Sequence, residues 1–372
     1  MLRKDHKISM KALFQSFRKV GESSRDKASQ LLANRLHKIE SVCVLSETAG
    51  EAGNIDVGKE KHIVKDAVSI SSCHNFIHPS AIVHPNAVIG IGVTIGPLCT
   101  IGPNVKLGDG CQLRPSSHVF GNTEIGDRCV LMTGAVVGDE LPGSTIIGRN
   151  NIIGHHAVVG VQCQDLKYKA GDECFLHIGD DNDIREGASI HRSSKQDDKT
   201  AIGNNNLIMG SCHIAHDCYI GNNNILANNT MLAGHVVLED YVRTAGGVVV
   251  HQFCHIGSYS FLGGGSVVAQ DVPNYMIVTG ERAELRGLNL EGLRRNGFSA
   301  AEIKCLKAAY KRLFLAAGGS CAPFAERLAS LEADTDLMSA PSVAALLRSI
   351  RRSSAQSRRG ICIAGNFEGT ST

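Results

Sequence analysis

The stretch IGIGVTIGPLCTIGPNVKLGDGCQL, residues 89–113, has an aliphatic residue at every sixth position. A spacing of six fits neither an α-helix, whose sequence period is 3.6, nor a half-buried strand, whose period is 2. It is typical of the hexapeptide repeat, in which each repeat forms one short strand and a turn. Three such repeats make one coil of a parallel β-helix, with the aliphatic residues pointing inward.

The same spacing extends over most of the chain. It continues from Ile77 to Val137, resumes twice for three positions each, and then runs from Ile202 to Val268. Thr244 is the only member of these series that is not aliphatic, and it is still β-branched. We therefore predict a mainly β fold, a parallel β-helix of about ten coils whose aliphatic column is the core.

This pattern divides the chain into four parts. We predict a basic targeting extension at 1–70, the solenoid at 71–272, a small α-helical domain at 273–360 and a tail at 361–372. Two polar stretches interrupt the repeat, near 160–177 and 191–201, and are predicted to be loops ejected from the solenoid, where functional residues often occur.

The predicted helical domain has clear helix signals. Ser299 and Glu302 have the spacing of a capping box at the start of a helix that a glycine ends. Two further helices are predicted near 323–333 and 341–352. We expect this domain to cover the open end of the solenoid.

Composition excludes several classes of protein. The net charge of +2 gives no reason to expect a nucleic-acid ligand. No apolar run approaches the roughly 18–20 residues that a membrane span needs. The 13 cysteines contain no C-x-x-C pair, so we interpret them as reduced, small core residues rather than a zinc or disulfide framework.

The N-terminus differs in composition from the rest. Residues 1–40 contain ten basic and four acidic residues, with serines and with apolar residues at helix-like intervals. This composition resembles an organelle transit peptide, so we expect a mitochondrial protein, with a plastid or the cytoplasm as alternatives.

The stretch GSCHIAHDCYIGNNN, residues 210–224, concentrates side chains that can carry chemistry. Its two isoleucines are inward positions of the repeat. His213, His216 and Asp217 must therefore face outward or lie at corners of the solenoid. The spacing alone leaves a metal site, a redox site and a proton-transfer site open.

The length of one coil favours proton transfer. His235 follows Asp217 by 18 residues, so the two side chains should stack on adjacent coils near hydrogen-bonding distance. A carboxylate beside an imidazole fixes its tautomer and raises its basicity, as a general base near neutral pH requires. His251 and Gln252 follow about one coil later, on the same edge.

Seven short strings resemble the acyl-carrier-protein-dependent UDP-N-acetylglucosamine O-acyltransferases, which catalyse the first step of lipid A synthesis. Over about residues 76–320 they are QDLKY (164–168), IHR (190–192), HIAHDC (213–218), LAGHV (232–236), VHQFC (250–254), AQDVP (269–273) and GLNLEGLRRNGF (287–298). The stretch VLMTGAVVGDELPG and the basic extension resemble the plant mitochondrial form most. The resemblance implies a left-handed parallel β-helix, assembled as a trimer with active sites between subunits.

The resemblance also implies a mechanism. His216 would take the proton from the glucosamine 3-hydroxyl, with Asp217 orienting it, and the sugar oxygen would attack the thioester directly. A backbone N–H of the LAGHV turn would stabilise the oxyanion. Substrate-binding roles would fall to Gln164, Asp165, Lys167, His213, His235, His251, Gln252, Gly264, Asn289, Glu291 and Arg295.

These binding residues fall into groups. Those at the sugar and nearby acyl groups would be Gln164, Asp165, His213 and His235, with Lys167 reaching a phosphate. Those at the nucleotide would be Gln252, Asn289, Glu291 and Arg295. Gly264, which has no side chain, would leave room for a long 3-hydroxyacyl chain. Neither a metal nor a cofactor is expected, and the partners would be acyl carrier protein, UDP-N-acetylglucosamine and further copies of this chain.

A basic surface and two departures complete the comparison. Acyl carrier proteins are strongly acidic, and they would be attracted by Arg282, Arg286, Arg294, Arg295, Lys304, Lys307, Lys311 and Arg312.

Cys163 replaces the asparagine usual in bacterial members, and Asn296 stands where a second basic residue is common. Neither departure concerns the proposed base.

Three other readings remain open on the sequence. The N-acyltransferase two steps later in the same pathway usually has a large uridine-binding domain before its solenoid. A γ-type carbonic anhydrase needs three zinc-binding histidines, which His213, His216 and His235 could imitate, but QDLKY and NLEGLRRNGF would then have no role. A non-catalytic scaffold would be expected to have lost some of the residues His216, Asp217 and His235.

Overall fold

The hexapeptide repeats form a three-sided solenoid whose sides are parallel sheets, one of which ends in an antiparallel strand. The structure is a computed structural model and describes residues 74–140, 142–196, 198–315, 322–355 and 358–363. The predicted extension at 1–70 and the tail from 364 onward lie outside the described residues. The prediction of a hexapeptide β-helix is confirmed.

Within the described residues the strands, numbered along the chain, fall into three sheets. Sheet A has 12 strands: β1 Phe76–Ile77, β4 Thr94–Ile95, β7 Gln112–Leu113, β10 Val130–Leu131, β13 Ile152–Ile153, β16 Asp183–Ile184, β19 Leu207–Ile208, β22 Ile225–Leu226, β25 Arg243–Thr244, β28 Phe261–Leu262, β30 Met276–Thr279 and β31 Glu284–Leu288. Sheet B has 10: β2 Ile82–Val83, β5 Thr100–Ile101, β8 His118–Val119, β11 Val136–Val137, β14 Val158–Val161, β17 Ser189–His191, β20 His213–Ile214, β23 Met231–Leu232, β26 Val249–Val250 and β29 Val267–Val268. Sheet C has 9: β3 Val88–Ile89, β6 Val105–Leu107, β9 Thr123–Ile125, β12 Gly143–Ile147, β15 Cys174–Ile178, β18 Lys199–Ile202, β21 Tyr219–Ile220, β24 Val237–Leu238 and β27 His255–Ile256.

The predicted inward column forms the core. From Ile95 to Val268 its aliphatic members are buried, whereas Ile77 in the first coil is 44% exposed. Thr244, the one polar member, is buried with its hydroxyl 2.7 Å from that of Thr230. Buried cysteines such as Cys111 and Cys129 lie two residues before inward positions and are free thiols, as expected of small core residues.

The edges of the predicted parts differ in detail. The solenoid continues past 272, because β30 pairs in parallel with β28 and brings the count to about 11 coils. The two ejected loops are shorter than predicted, about 162–173 and 192–198, since their ends belong to β14, β15, β17 and β18. Polar residues in these stretches hid the alternation that buries Cys174, Leu176 and Ile178.

In the described part of the chain five helices follow the solenoid: α1 Leu290–Arg295, α2 Ala300–Phe314, α3 Phe324–Glu332, α4 Thr335–Met338 and α5 Pro341–Ser353. The capping box of Ser299 and Glu302 begins α2 as predicted. The short helices α1 and α4 have too few residues for a periodic signal. None of the helices in the described part of the chain is long and apolar enough to span a membrane.

Candidate active site

The corner between sheets B and C carries the histidine cluster. Residues 215–218 connect β20 in sheet B to β21 in sheet C and include His216 and Asp217. The corresponding turn of the next coil contains His235. Asp217 and His235 both adopt positive φ, 58° and 60°, a conformation that aspartate and histidine accept more readily than most residues. The coil repeat thus brings these side chains to one edge of the solenoid.

The buried carboxylate of Asp217 is surrounded by donors. Its Oδ2 lies 2.7 Å from Nδ1 of His216 and 3.5 Å from Nε2 of His235. The Ser194 hydroxyl donates to Oδ2 at 2.6 Å, and the Ser194 N–H donates to Oδ1 at 3.0 Å. Burial raises the pKa of Asp217, but hydrogen bonds from His216 and Ser194 outweigh burial and hold this pKa below its usual range.

The other nitrogen of the His216 ring faces the loop 162–173. Nε2 lies 3.7 Å from Oδ2 of Asp165, which is longer than a hydrogen bond. The His216 side chain is only 13% exposed. Gly234 makes room for the ring, because a Cβ at that position would lie 2.4 Å from Cε1 of His216. The site therefore offers a nearly enclosed imidazole with Nε2 open to a ligand.

His235 is held between neighbouring side chains. Its ring stacks on Phe253 with 4.6 Å between the ring centroids, and it meets the His216 ring edge-on at 5.3 Å. Burial lowers the pKa of His235, and the charge of Asp217 opposes this effect. The neutral form of His235 is therefore favoured, and in this form its ring can donate one hydrogen bond and accept another.

Two further histidines lie on sheet B beside this corner. Nδ1 of His213 is 2.7 Å from the Ser189 hydroxyl, and its ring meets that of His191 edge-on at 4.9 Å. Burial lowers the pKa of His213, with His216 adding to the effect. Burial, reinforced by His213 and His216, lowers the pKa of His191 to about 4.

Comparisons with protein families agree with this architecture. Residues 271–362 match the family model of the UDP-N-acetylglucosamine O-acyltransferase, domain 2. Residues 199–234 match the bacterial transferase hexapeptide model of six repeats, and residues 77–169 match the GMPPB C-terminal domain model.

Alignments with complete related proteins cover more of the chain than any of these family models. The probable mitochondrial acyl-[acyl-carrier-protein]–UDP-N-acetylglucosamine O-acyltransferase of Arabidopsis thaliana is 72% identical over 286 residues, which are 77% of this chain and 85% of the relative. This chain belongs to that O-acyltransferase family. A Myxococcus xanthus acyl-[acyl-carrier-protein]–UDP-N-acetylglucosamine O-acyltransferase is 44% identical over 239 residues, 64% of this chain and 84% of the relative.

Solved structures of UDP-N-acetylglucosamine acyltransferases are similar to this chain over most of its length. The crystal structure of Arabidopsis UDP-N-acetylglucosamine acyltransferase has a TM-score of 0.76 at 72% identity and covers 77% of this chain and 100% of that one. The structure of LpxA from Acinetobacter baumannii has a TM-score of 0.62 at 40% identity and covers 77% and 99%.

Several residues of the O-acyltransferase pattern lie on another corner of the same chain. Asn289 caps α1, its Oδ1 accepts from the Gly292 N–H at 3.0 Å, and its Nδ2 donates to the Tyr259 carbonyl at 2.8 Å. Tyr259 belongs to the corner between sheets C and A. Glu291 and Arg295 are exposed on α1 and pair with each other at 2.8 Å. The structure does not bring these residues to His216 within one chain.

The remaining residues of the pattern are at the surface. Gln164 and Lys167 are exposed on the loop 162–173, where Asp165 accepts the Lys167 N–H at 2.9 Å. His251 and Gln252 are exposed one coil beyond His235. Gly264 lies on the corner between sheets A and B, also exposed.

Sequence reasoning missed three residues near the base. Phe253 could have been found, because it follows His235 by the same 18 residues. Ser194 could not, since it lies on an ejected loop where the coil repeat gives no register. His191 belongs to the quoted IHR string, but nothing in its spacing indicated contact with His213.

The same cluster could hold a metal ion. Within the described residues, the one group of potential ligands comprises His216, Asp217 and His235, whose ligand atoms lie within 4.8 Å of one another. Two histidines and a carboxylate are a donor set that zinc accepts. The group does not include His213, the third histidine that a γ-type carbonic anhydrase reading would use.

Proposed function

We propose that this O-acyltransferase moves a 3-hydroxyacyl chain from acyl carrier protein to the 3-hydroxyl of UDP-N-acetylglucosamine, the first step of a lipid A-type synthesis. The 2.7 Å contact between Nδ1 of His216 and Oδ2 of Asp217 carries the proposal. The acyl carrier protein and UDP-N-acetylglucosamine that appear in the relatives' names support the choice of substrates.

The contact with Asp217 decides which nitrogen of His216 can act. An ionised carboxylate only accepts hydrogen bonds, so Nδ1 of His216 carries the proton and donates it. In the neutral ring Nε2 then has a free lone pair, and it faces the loop that carries Gln164 and Asp165. Nε2 is therefore the general base in this proposal.

The reaction proceeds without an acyl-enzyme. As Nε2 of His216 takes the proton of the 3-hydroxyl, the sugar oxygen forms a bond to the thioester carbon. The carbon–sulfur bond of the tetrahedral intermediate then breaks, and the proton on Nε2 passes to the leaving thiolate. Asp217 stabilises the imidazolium between these two steps.

The turn 233–236, one coil after the turn of His216, can supply the oxyanion donor. Ala233 and His235 use their N–H groups to bond the carbonyls of Val250 and His216. In the described part of the chain, the N–H of Gly234 makes no such bond. We assign this N–H to the developing oxyanion, whose stabilisation is worth several kcal/mol in acyl transfer, about 3 kcal/mol per donor.

Side chains around the base would orient the sugar. His213 and His235 flank the base, and Asp165 and Gln164 project from the loop opposite it. His213 has its Nδ1 bonded to the Ser189 hydroxyl, which leaves Nε2 for the substrate. Lys167, which is exposed on the same loop, would reach a phosphate.

A homotrimer with sites between subunits is part of the proposal. The base lies on the B–C corner, whereas Asn289, Glu291 and Arg295 lie beside the C–A corner. A neighbouring copy would supply one of the two groups to a shared cleft, with Gln252 and His251 on the same edge as the base. The apolar row of Met231, Val249 and Val267 on sheet B, exposed at 47%, 39% and 40%, supports packing between copies.

The carrier protein would dock on a basic surface. Lys304, Lys307 and Lys311 are exposed along one side of α2, and the arginines Arg282, Arg286, Arg294 and Arg312 are exposed nearby in sequence. Charges of one sign attract an acidic partner and speed its association, and salt weakens this attraction. We therefore propose that α2 receives the acyl carrier protein.

The localisation proposal rests on the relative's name and on composition. The Arabidopsis relative is called mitochondrial, and residues 1–40 have the basic, serine-containing composition of a transit peptide. A fluorescent protein fused to residues 1–70 is expected to enter mitochondria, and a fusion to residues 71–372 is not.

The function is tested with purified protein, UDP-N-acetylglucosamine and 3-hydroxyacyl carrier proteins of several chain lengths. Mass spectrometry detects the O-acylated nucleotide sugar, and His216→Ala is expected to abolish it. His155→Ala, at an exposed corner on another edge, is the matched control and keeps activity. A folded wild-type trimer that acylates nothing would overturn the proposal, and zinc analysis of that sample would then test the carbonic anhydrase reading.

A further inference from the structure

The carboxylate of Asp217 has more donors than a base-orienting residue strictly needs. Two of them come from one residue, Ser194, whose N–H and hydroxyl reach the two carboxylate oxygens at 3.0 and 2.6 Å. Ser194 is itself buried, at 5% exposure. Its hydroxyl shares Oδ2 with Nδ1 of His216. Ser194 therefore contacts the oxygen that sets the tautomer of the base.

The turn that carries Ser194 is firmly attached to the solenoid. The Ser193 hydroxyl accepts from the Phe175 N–H at 2.9 Å and donates to the Lys195 carbonyl at 3.1 Å. The fully buried Arg192 donates from its Nε to the Thr145 hydroxyl at 3.0 Å. The position of Ser194 is thus set by strands on two coils, which makes it a rigid support for Asp217.

We propose that Ser194 is a positioning residue, whose N–H and hydroxyl hold the Asp217 carboxylate in the orientation that accepts the Nδ1 proton of His216. This inference rests on the proposed function, because it assigns Ser194 to the acyl-transfer base. Ser194 acts through Asp217 and touches no reacting atom. A displacement of about 1 Å in a catalytic group can cost roughly 100-fold in rate, so loss of such a support should lower activity without abolishing it.

Loss of the Ser194 hydroxyl should loosen the Asp217 carboxylate. Of the two Ser194 donors only the N–H on Oδ1 would remain, so the carboxylate can rotate away from the His216 ring. Nδ1 of His216 then lacks a fixed acceptor, and the ring is less often in the orientation and tautomer that leave Nε2 free for the proton of the sugar.

Other charged groups around the pair remain in place when Ser194 is changed. His235 lies 3.5 Å from Asp217, and Asp165 lies 3.7 Å from His216. His213 and His191 lie beside the pair on sheet B. Lys195 and Asp198 act on His235 through their charges. Because none of these bonds to the Ser194 hydroxyl, a change at His216 in the variant reports on that hydroxyl.

The test compares Ser194→Ala with Ser193→Ala in the full chain. Both variants lose one buried hydroxyl from the same turn, but the Ser193 hydroxyl bonds backbone groups of Phe175 and Lys195 and the Cys174 side chain, and not Asp217. We expect Ser194→Ala to lower kcat roughly tenfold with KM for the nucleotide sugar within about twofold. Ser194→Thr, which restores a hydroxyl, should recover most of the lost kcat. Ser193→Ala should keep kcat within about twofold of the wild type.

An activity-independent measurement separates this proposal from the proposed function. Exchange of the C2 hydrogen of His216 with deuterium, followed by mass spectrometry, depends on the contacts of the ring, and its rate should change in Ser194→Ala but not in Ser193→Ala or Ser194→Thr. An unchanged kcat and exchange rate in Ser194→Ala, or equal changes in Ser194→Ala and Ser193→Ala, would overturn the positioning role. Absence of acyl transfer by the wild type would overturn the proposed function and leave the exchange result to decide on Ser194.

Discussion

Nε2 of His235 lies 3.5 Å from Oδ2 of Asp217, one coil away along the same corner. The same oxygen is 2.7 Å from Nδ1 of His216, so one buried carboxylate serves two imidazoles. Phe253 stacks on the ring of His235, with 4.6 Å between the ring centroids. The negative charge of Asp217 therefore acts on both His216 and His235.

Replacing this charge tests its role directly. Asp217→Asn keeps the size of the side chain but presents an amide that can donate to Nδ1, which would move the His216 proton to Nε2 and block the base. We expect kcat to fall roughly 10³–10⁴-fold, as for other carboxylates that orient a catalytic histidine. Asp109→Asn is the control, because the Asp109 carboxylate also accepts a backbone N–H, at 2.7 Å from Ile91, far along the solenoid. Equal activity in the two variants would contradict the assignment.

Gly234 offers a steric test of the same base. The backbone there is compatible with alanine, but a Cβ would lie 2.4 Å from Cε1 of His216 and would push the ring away. We expect Gly234→Ala to keep the fold and to lose roughly 100-fold in kcat. Gly102→Ala, whose nearest contact would be 3.4 Å, is the matched control for a glycine of the solenoid. Wild-type kcat in Gly234→Ala would mean that the ring position seen here does not matter.

The coil repeat explains why the fold and part of the site could be predicted. A six-residue spacing fixes which residues point inward, and the buried column from Ile95 to Val268 follows it. Because a coil has 18 residues, the stacking of Asp217 on His235 could be expected from their numbers alone, and the structure has them 3.5 Å apart.

Features that lie outside the regular six-residue spacing could not be predicted from the sequence pattern. Ser194 reaches Asp217 from an ejected loop, and no periodic register relates its position to the corner. The extra strand β30 follows a stretch in which the six-residue spacing has lapsed, so the solenoid was predicted to end at 272. Asn289 was predicted from the resemblance alone, and the helix it caps is too short to be recognised by its period.

The prediction that Gly264 leaves room for a long acyl chain can be tested by adding a side chain there. An added Cβ would meet only the Gly246 carbonyl at 3.6 Å and Ala245 Cβ at 3.8 Å, so the backbone tolerates a side chain. We expect Gly264→Met to occupy the room left for the end of the chain and to lower activity with the longest accepted acyl chain roughly 100-fold. Activity with shorter chains should persist, as measured with a series of acyl carrier proteins. An unchanged chain-length profile would exclude Gly264 from contact with the acyl chain.

Attachment of the C-terminal segment to the solenoid depends on a buried ion pair. The Asp271 carboxylate is fully buried, accepts two bonds from Arg358 at 3.0 and 3.1 Å, and accepts the His255 N–H at 2.8 Å. Asp271→Asn leaves the guanidinium without its anion and should lower the free energy of unfolding by about 3 kcal/mol. The exposed pair of Glu332 and Arg351 provides the control, since Glu332→Gln should cost less than about 1 kcal/mol. Equal losses in denaturant titrations would contradict this account.

Acid stability should depend on His191. Burial lowers its pKa from 6.5 to about 4, so between these values the unfolded chain binds a proton that the folded chain refuses. Stability is therefore complete above pH 6.5 and is lost as the pH falls towards 4, by at most about 3 kcal/mol. His191→Phe cannot take up this proton, and its melting temperature should fall less than that of the wild type between pH 6.5 and 4.5. Burial raises the pKa of Glu239, but hydrogen bonds from His255 and Ser258 outweigh burial and lower this pKa from 4.5 to about 2. The contribution of Glu239 to stability is therefore lost as the pH falls from 4.5 towards 2, below the range used for His191. Parallel melting curves for wild type and variant across the window would refute the role of His191.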